Sequence, residues 1–286
     1  AATERPTGRG TDMVDLRGHV AVVTGGSKGI GKGIAQGLGE AGMTVYVTGR
    51  STERAASGYG GGAAAGLTIE ATARSVDAFG GRGIPCRVDH NNDADVAALF
   101  RRVADEQGRL DVLVNNAYQI PDPPVFGGGF WEHPVGLWDT QCGVGLRGYY
   151  VASVYAAPLM VAAGRGLIVN ISSRGGRGYV FSASYGVGKA GVDRMAQDMA
   201  HELRSYGVAA LSLSPSKVKT EFVLEQVALG NMTLDPIEAQ SVRLSGRVIA
   251  ALAADRDLMS RSGSILTVAE VAHHYGVVDP DAESRR

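Results

Sequence analysis

Short runs of β-branched and other apolar residues alternate with longer segments of helical periodicity along this chain. Seven runs have the composition of buried strands: Val20–Thr24, Thr44–Thr48, Ile84–Val88, Asp111–Asn115, Leu167–Ile171, Val208–Ser212 and Ser264–Val268. Between them apolar residues recur at helical spacing, as at Ile34 and Leu38. Strands that alternate with helices indicate right-handed βαβ units. The pattern predicts an α/β fold with a doubly wound, mostly parallel seven-stranded sheet and helices on both faces.

Both ends of the chain are polar and frame a single predicted domain. Residues 1–15 contain no apolar run, and the last eight residues carry mostly charged side chains. We therefore expect a flexible arm over 1–15, one domain over 16–278 and a flexible tail over 279–286. Residues 57–66 are rich in Gly and Ala, and they predict either a surface insertion or a loop over the adenine end of a nucleotide.

The composition excludes several classes of protein. A hydrophobic share of 44% and a charged share of 20% are those of an ordinary globular domain. The net charge of -1 favours neither nucleic acid nor a membrane as a partner. The two cysteines cannot form a disulfide framework, and the six histidines show no metal-ligand spacing, so we expect no metal. With no signal peptide or membrane helix in view, we expect a cytoplasmic protein.

A glycine-rich turn follows the first predicted strand and precedes a helical pattern. A dinucleotide diphosphate must approach backbone N–H groups at a helix N-terminus, where a Cβ would block it. Glycine permits both the tight turn and the close approach. This position between strand and helix predicts a dinucleotide site that includes Gly25, Ser27, Lys28, Gly29, Ile30 and Gly31.

A tyrosine and a lysine stand four residues apart at Tyr185 and Lys189. Residues at this spacing share one face of a helix, so the phenol and the ammonium can approach one another. A free tyrosine has a pKa of about 10, and a neighbouring cation lowers it. The pair is therefore a candidate for proton transfer. Upstream, a predicted strand ends in Asn170-Ile171-Ser172-Ser173.

Together these motifs resemble the short-chain dehydrogenase/reductase family, whose glycine turn has the spacing TGxxxGxG. The resemblance implies a single-domain Rossmann fold and an NAD(P)-dependent oxidoreductase that transfers hydride between nicotinamide and a carbonyl or secondary alcohol. It implies that Tyr185 transfers the proton, Lys189 holds the nicotinamide ribose and Ser173 orients the substrate oxygen. Ser172 competes for this last role, because Ser173 lies one residue closer to the tyrosine than the family spacing.

The end of the second strand bears on the choice of cofactor. NAD-preferring sites usually place a carboxylate there for the ribose hydroxyls, and this chain has none. Arg50 and Lys28 can instead neutralise a 2′-phosphate, so we expect NADP(H), with NAD(H) as the alternative. The resemblance extends the cofactor site to Ser51, Asp89, His90, Asn116, Ala117, Tyr185, Lys189, Val218 and Thr220.

Three positions depart from the family pattern. Gly145 stands where many members carry an Asn that supports a proton relay, and nearby Arg147 is expected to do no more than brace its helix. Tyr118 replaces the glycine that usually follows the double Asn, and Ser216 replaces a glycine near the nicotinamide. Longer phrases such as GRLDVLVNNAY and VGLRGYY resemble a subgroup of carbonyl reductases that shares the first two departures.

The substrate pocket is expected between two segments, residues 118–138 and 221–240. The first is rich in aromatic residues within a Gly/Pro-broken loop, which indicates a pocket wall. We expect Tyr118 and Trp131 to contact the substrate together with Ser173 and Tyr185. The aromatic content favours a bulky apolar ketone, or a steroid-like substrate, over a small polar one.

Three hypotheses about function remain at this point. The first is an NADP-dependent reductase, the second an NAD-dependent alcohol dehydrogenase, and the third a catalytically weak dinucleotide-binding sensor or scaffold. The helices around residues 138–160 and 185–206 are rich in small apolar residues. By resemblance to the family, these helices imply a homodimer or homotetramer.

Overall fold

A computed structural model describes residues 15–55 and 66–282 of the chain. Residues 1–14 of the predicted arm, nearly all of the Gly/Ala-rich segment and the last four residues lie outside these ranges. Within the predicted tail, Asp279 accepts a hydrogen bond from the Ser241 backbone N–H at 2.7 Å, and Asp281 forms an ion pair with Arg243. The domain boundaries themselves stay a prediction.

The strands form one seven-stranded parallel sheet, as the sequence pattern predicts. In chain order they are β1 (Val20–Val23), β2 (Thr44–Gly49), β3 (Arg82–Arg87), β4 (Val112–Asn115), β5 (Gly166–Ile171), β6 (Val208–Ser214) and β7 (Ile265–Thr267). Their spatial order is β3-β2-β1-β4-β5-β6-β7, and all six neighbouring pairs are parallel. This is the Rossmann order, so the predicted fold is confirmed. The β-branched runs form strands because both faces of the central strands are buried.

Helices cover both faces of the sheet. They are α1 (Gly29–Glu40), α2 (Ile69–Ala78), α3 (Asp93–Gln107), α4 (Gly136–Cys142), α5 (Gly148–Ala163), α6 (Ala183–Leu203), α7 (Glu221–Ala228), α8 (Val242–Ala254) and α9 (Val268–Tyr275). Apolar side chains of α1, α2, α8 and α9 form the core on one face. Those of α3, α5 and α6 form the core on the other. Within the described ranges, no helix is both long and apolar enough to cross a membrane.

The two helices α1 and α8 approach each other backbone to backbone. A Cβ on Gly33 would fall well inside the contact distance of the Val242 carbonyl oxygen. A Cβ on Gly37 would lie 2.7 Å from the Cα of Gly246. The glycines of α1 therefore allow a helix contact with no side chains in between, which fixes the direction in which the N-terminus of α1 points.

The strand order reverses between β1 and β4, so the connections that leave these two strands diverge. A crevice opens at this point on the carboxyl edge of a parallel sheet, and such crevices hold ligands in open α/β folds. The glycine turn leaves β1 here, Asn116 and Ala117 leave β4, and Ser172 and Ser173 leave β5. The fold thus brings the predicted motifs to one edge.

Candidate active site

A cavity of about 1460 Å³ lies at this carboxyl edge. Typical pockets for one small ligand measure about 300–1,000 Å³, so this cavity has room for a dinucleotide together with a substrate. Every residue predicted to bind the cofactor or to act in catalysis lines it: Gly25, Ser27, Lys28, Gly29, Ile30, Gly31, Arg50, Ser51, Asp89, His90, Asn116, Ala117, Ser173, Tyr185, Lys189, Val218 and Thr220.

The glycine turn presents the start of α1 to the cavity. Gly25 has φ of +67°, and a Cβ there would lie 2.7 Å from the Cα of Ala117, so this turn requires glycine. The backbone N–H of Gly29 donates to a carboxylate oxygen of Glu221 at 2.8 Å, and Lys32 lies 3.6 Å from the other oxygen. A carboxylate of the chain itself therefore occupies this helix N-terminus, where the backbone N–H groups and the helix dipole favour negative charge.

Asn116 clamps the glycine turn to the end of β4. Its side-chain amide donates to the carbonyls of Thr24 and Gly25 at 2.9 and 3.0 Å. In return, the Thr24 hydroxyl accepts the backbone N–H groups of Asn116 and Ala117 at 2.9 and 3.0 Å. Asn116 thus steadies the floor of the cavity between β1 and β4.

Two cations stand at the far end of the cavity, beyond β2. Burial lowers the pKa of Lys28, and the positive charge of Arg50 lowers it further, whereas Glu221 opposes the shift. Arg50 lies 4.0 Å from a carboxylate oxygen of Asp89, two residues after β3. The two predicted cations therefore converge on one region, and Asp89 borders it.

His90 forms part of the buried wall beside this region. Its ring nitrogen Nε2 lies 2.8 Å from the Thr48 hydroxyl. Burial lowers the pKa of His90 to about 4, although the neighbouring Asp89 raises it. The imidazole is therefore neutral at physiological pH and contributes shape and hydrogen bonding rather than charge.

The predicted catalytic groups meet where β5 ends beside α6. The Tyr185 hydroxyl donates to the Ser173 hydroxyl at 2.9 Å, and Ser173 also accepts the backbone N–H of Gly175 at 3.0 Å. The Ser172 hydroxyl turns away and donates to the Lys189 backbone carbonyl at 3.4 Å. The geometry favours Ser173 over Ser172 as the partner of the tyrosine, despite the short spacing in sequence.

Lys189 is buried next to this pair, with 6% of its surface exposed. Its ammonium donates to the Ile171 carbonyl at 3.0 Å. Burial lowers the pKa of Lys189 to about 8, and Asp193, one turn along the helix, partly offsets this by its negative charge. A lysine with this pKa is still mostly charged at neutral pH.

The protonation of Tyr185 differs from the sequence expectation. Burial raises its pKa, and the hydrogen bond with Ser173 and the charge of Arg174 only partly counter this. The lowering expected from Lys189 is not seen, and the loss of water around the phenol dominates the shift. Tyr185 is protonated at neutral pH, the state that a proton donor requires.

The segment after β6 forms the wall opposite the catalytic groups. Val218 is buried and pairs with Gln240, and Thr220 caps α7 by accepting the Val223 backbone N–H at 3.2 Å. Ser216 replaces the usual glycine here without strain. Among the described non-glycine residues only Phe181 has a positive φ.

The structure does not bring Trp131 to the cavity. Its side chain is 76% exposed and packs edge to face against Phe130, with 5.4 Å between ring centroids. Both rings belong to a short helical turn, Phe130–Glu132, that faces outward. The predicted wall is instead formed by the earlier part of the loop, Tyr118–Pro121 and Pro124–Phe126, and by residues 221–223 and 231–234 across the cavity.

Arg147 does not enter the cavity either. It forms a two-pronged ion pair with Asp93 on α3, with both N–O distances at 2.7 Å. The arginine therefore braces a π-helical turn, Gly143–Arg147, that joins α4 to α5, as the sequence suggested.

Three side chains at the site were not singled out from the sequence. Glu221 occupies the start of α1, Gln141 accepts hydrogen bonds from Ser182 and Ser184 at the start of α6, and Tyr149 donates to the Ile171 carbonyl at 3.2 Å. Tyr149 lies within the phrase VGLRGYY and Glu221 within the predicted wall 221–240, but neither was assigned a role, because the contacts of all three side chains depend on the fold. No periodicity or spacing in the sequence singles out Gln141, which lies in the polar and aromatic segment GLWDTQC of α4.

Comparison with known proteins identifies the same family as the motifs that meet at this site. The model of the short chain dehydrogenase family matches residues 19–228. Dehydrogenase/reductase SDR family member 1 from Mus musculus is 44% identical over 94% of this chain and 85% of its own length. The human protein of that name is 42% identical over 93% of this chain and 84% of its own length.

A solved structure shares the fold as well. A metagenomic short-chain oxidoreductase in complex with NADP superposes with a TM-score of 0.67 and 31% identity. The match covers 88% of this chain and 96% of that one. The chain therefore belongs to the short-chain dehydrogenase/reductase family and is a nicotinamide-dependent oxidoreductase.

Proposed function

We propose that this protein is an NADPH-dependent reductase of bulky, apolar carbonyl compounds. One observation carries the proposal. Tyr185, protonated and hydrogen-bonded to Ser173 at 2.9 Å, lies beside the buried ammonium of Lys189 at the wall of a cavity large enough for cofactor and substrate. This arrangement supplies a proton and a hydrogen-bonding group to one oxygen atom.

Two cations support NADPH over NADH. Arg50 and Lys28 converge where the adenosine ribose of a dinucleotide bound on α1 would lie, and no carboxylate ends β2. A related structure binds NADP. We assign the remaining predicted residues to the parts of the cofactor in order along the cavity. The amides of Gly29 and Ile30 bind the diphosphate, and Ser27 and Ser51 lie near the 2′-phosphate. Asp89 and His90 border the adenine, Asn116 and Ala117 the ribose, and Val218 and Thr220 the carboxamide.

The chemistry follows from the environment of each group. Bound NADPH supplies the hydride. Ser173 holds the substrate oxygen by a hydrogen bond, and Tyr185 gives its proton to that oxygen as negative charge develops. General-acid catalysis of this kind contributes about 10²–10⁴-fold in rate. Lys189 binds the nicotinamide ribose and places positive charge beside the phenol as its proton leaves.

Aromatic rings next to Tyr185 support an apolar substrate. Phe181 packs edge to face on Tyr185 with 5.2 Å between centroids, and Phe126 packs on Phe181 at 6.0 Å. Tyr118 also packs edge to face on Tyr185, with 5.9 Å between ring centroids. The substrate carbonyl must therefore enter between ring edges and faces, which suits a bulky or steroid-like ketone more than a small polar one.

Exposed apolar side chains on α5 and α6 support an oligomer. Tyr150, Val154 and Tyr155 on α5 and Val187 on α6 are each more than one third exposed. Rows of large apolar residues on adjacent helices mark interfaces between subunits. We propose a homodimer or homotetramer through this surface, which light scattering of the purified protein would measure directly.

The function is tested by titrating the protein with NADPH and NADH and then measuring NADPH oxidation with bulky ketones and quinones. We expect tighter binding of NADPH, and turnover that is lost in Tyr185→Phe but kept in the matched variant Tyr206→Phe. Arg50→Ala should weaken NADPH binding by roughly ten- to a hundredfold, the worth of a charge-assisted hydrogen bond. Arg256→Ala, a surface variant, should leave it unchanged.

Other outcomes would select the other hypotheses. Tighter binding of NADH with oxidation of secondary alcohols would identify an NAD-dependent dehydrogenase. Binding without turnover of any carbonyl compound would favour a sensor or scaffold. The absence of binding by either nucleotide would refute the proposal as a whole.

A further inference from the structure

The ring of Tyr118 fills the space that a side chain at position 145 would need. A Cβ built on Gly145 lies 2.7 Å from Cδ2 of Tyr118 and 3.2 Å from its Cε2. Gly145 itself is buried in the π-helical turn between α4 and α5. The aromatic ring and any larger residue at 145 therefore exclude each other, so the two positions form one steric unit.

The same ring faces the ammonium of Lys189. The nitrogen Nζ lies 5.4 Å from the centroid of the Tyr118 ring and 5.8 Å from that of Tyr149. Both distances are within the range of cation–π attraction, which is strongest where water is excluded. Lys189 is almost fully buried, so these ring faces stabilise its charge where water cannot.

Polar contacts connect the ring to the helix that carries the catalytic pair. The side-chain amide of Gln141 acts on the Tyr118 hydroxyl and partly offsets the rise of its pKa. The oxygen of the same amide accepts from Ser182 at 3.0 Å, and the Ser182 hydroxyl caps α6 by accepting the Tyr185 backbone N–H at 3.2 Å. Tyr118 is thus linked to the start of the helix that carries Tyr185 and Lys189.

We propose that Tyr118 is a positioning residue that uses its ring face to hold the Lys189 side chain in its charged, buried position, and that Gly145 is required to make room for it. The inference rests on the proposed function, because a charged Lys189 matters to catalysis only if the protein is a reductase. The Tyr118 hydroxyl itself is not a proton donor here, since burial and the nearby Tyr185 raise its pKa.

The groups that surround Lys189 limit what else could set its charge. Among the described residues, the titratable groups that contact or act on it are Tyr118 after β4, Tyr149 on α5 and Asp193 on its own helix, where Tyr185 lies one turn before it. Of these, Asp193 is the anion, and its carboxylate accepts a hydrogen bond from Ser212 at 2.5 Å. A change at Tyr118 leaves this anion in place, so its effect on Lys189 can be separated from that of Asp193.

The proposal is tested on the protein without cofactor by following Lys189 as it titrates. The chain has five lysines, so a protein labelled with ¹³C at lysine Cε gives few NMR signals, and that of Lys189 is assigned with Lys189→Met. In Tyr118→Phe, which keeps the ring, the pKa of Lys189 should stay close to the parent value. In Tyr118→Leu, which removes the ring face, it should fall by about 0.5–1.5.

A second variant displaces the Tyr118 ring by adding a side chain at position 145. Gly145→Ala should displace the ring and lower the pKa of Lys189 as Tyr118→Leu does, and the double variant should show no added effect. Gly143→Ala, in the same π-helical turn but 3.3 Å from the exposed Asn91 side chain, serves as the control and should leave the pKa unchanged. Thermal unfolding of each variant establishes that it is folded.

The outcomes separate this inference from the proposed function. An unchanged or raised pKa of Lys189 in folded Tyr118→Leu would overturn the role of the ring, whatever the protein catalyses. If the pKa of Lys189 falls as expected, the pH above which the rate of NADPH oxidation declines should fall by the same amount. If the parent protein oxidises NADPH with none of the carbonyl compounds tested, the proposed function is refuted. The titration of Lys189 would still decide the role of Tyr118.

Discussion

Glu221 occupies the position at which we propose that the cofactor diphosphate binds, so its charge should oppose cofactor binding. The carboxylate accepts the Gly29 N–H at 2.8 Å and lies 3.6 Å from Lys32. A dinucleotide can reach that N–H only after the carboxylate leaves it. Neutralising the side chain in Glu221→Gln should therefore tighten the binding of NADPH.

The size of the effect follows from the hydrogen bond that must be displaced. A bond to a charged acceptor contributes about 1.5–3 kcal/mol, and one to a neutral acceptor about 0.5–1.5 kcal/mol. The difference is on the order of 1 kcal/mol. Repulsion between the carboxylate and the phosphates adds to it, but the Glu221 side chain is 39% exposed and solvent screens most of that addition. We therefore expect the dissociation constant for NADPH to fall by roughly five- to tenfold.

Calorimetric titration at two ionic strengths is the assay. At an ionic strength of about 0.01 M the Debye length is about 30 Å, and at about 1 M it is about 3 Å, so the gain in Glu221→Gln should shrink with salt. Glu225→Gln, one turn further along α7 and exposed, is the matched control. The fragment 2′-AMP has no diphosphate, and its affinity should be the same in all three proteins. Unchanged or weaker binding of NADPH by Glu221→Gln would refute the argument.

Three further predictions concern protons, chemistry and packing. The pKa of His90 is about 4 in the fold against about 6.5 in the unfolded chain, so the unfolded state binds the proton first. Stability should fall between pH 6.5 and 4 by up to about 3 kcal/mol, and urea unfolding of His90→Gln should show a smaller fall. In turnover assays Ser173→Ala should lower kcat by about 10²-fold or more, whereas Ser172→Ala should have a much smaller effect. Gly33→Ala forces α1 and α8 apart, and should lower the urea midpoint by an amount equivalent to about 1–3 kcal/mol.

Each of these predictions has an outcome that contradicts it. Parallel pH profiles of parent and His90→Gln would mean that the imidazole is not held neutral by burial. Equal losses of kcat in the two serine variants would remove the geometric reason for choosing Ser173. Gly136→Ala, a control with no atom within 4 Å of the new Cβ, should be neutral, so an equal loss there would refute the packing argument.

The sequence was sufficient to predict those features that a short stretch of residues specifies. The seven strands were predicted because buried parallel strands read as short apolar runs, and only their ends differ, as where β3 begins at Arg82. The glycine turn and the Tyr185/Lys189 pair were also predicted by local spacing. In each case the partners are close in sequence or belong to adjacent strand ends, so one motif specifies most of the geometry.

The sequence was insufficient where side chains distant in the chain meet. Glu221 and Gly29 are 192 residues apart, and their contact depends on how α7 docks against α1. The fit between Tyr118 and Gly145 likewise follows from the packing of β4 against the π-helical turn. Trp131 was expected in the pocket because its loop is rich in aromatic residues. The prediction failed because a Gly/Pro-broken loop has no periodicity from which inward and outward side chains can be told apart.

The glycine contact between α1 and α8 has a consequence for how the cofactor is received. Packed helices can slide past each other by small shear movements, and the backbone contact between α1 and α8 leaves little free space for such a movement. The start of α1 is consequently fixed before any nucleotide arrives, and little ordering entropy is lost at the phosphates when one binds. The adaptable part of the site is then the opposite wall, so differences in substrate range among proteins of this architecture should arise there.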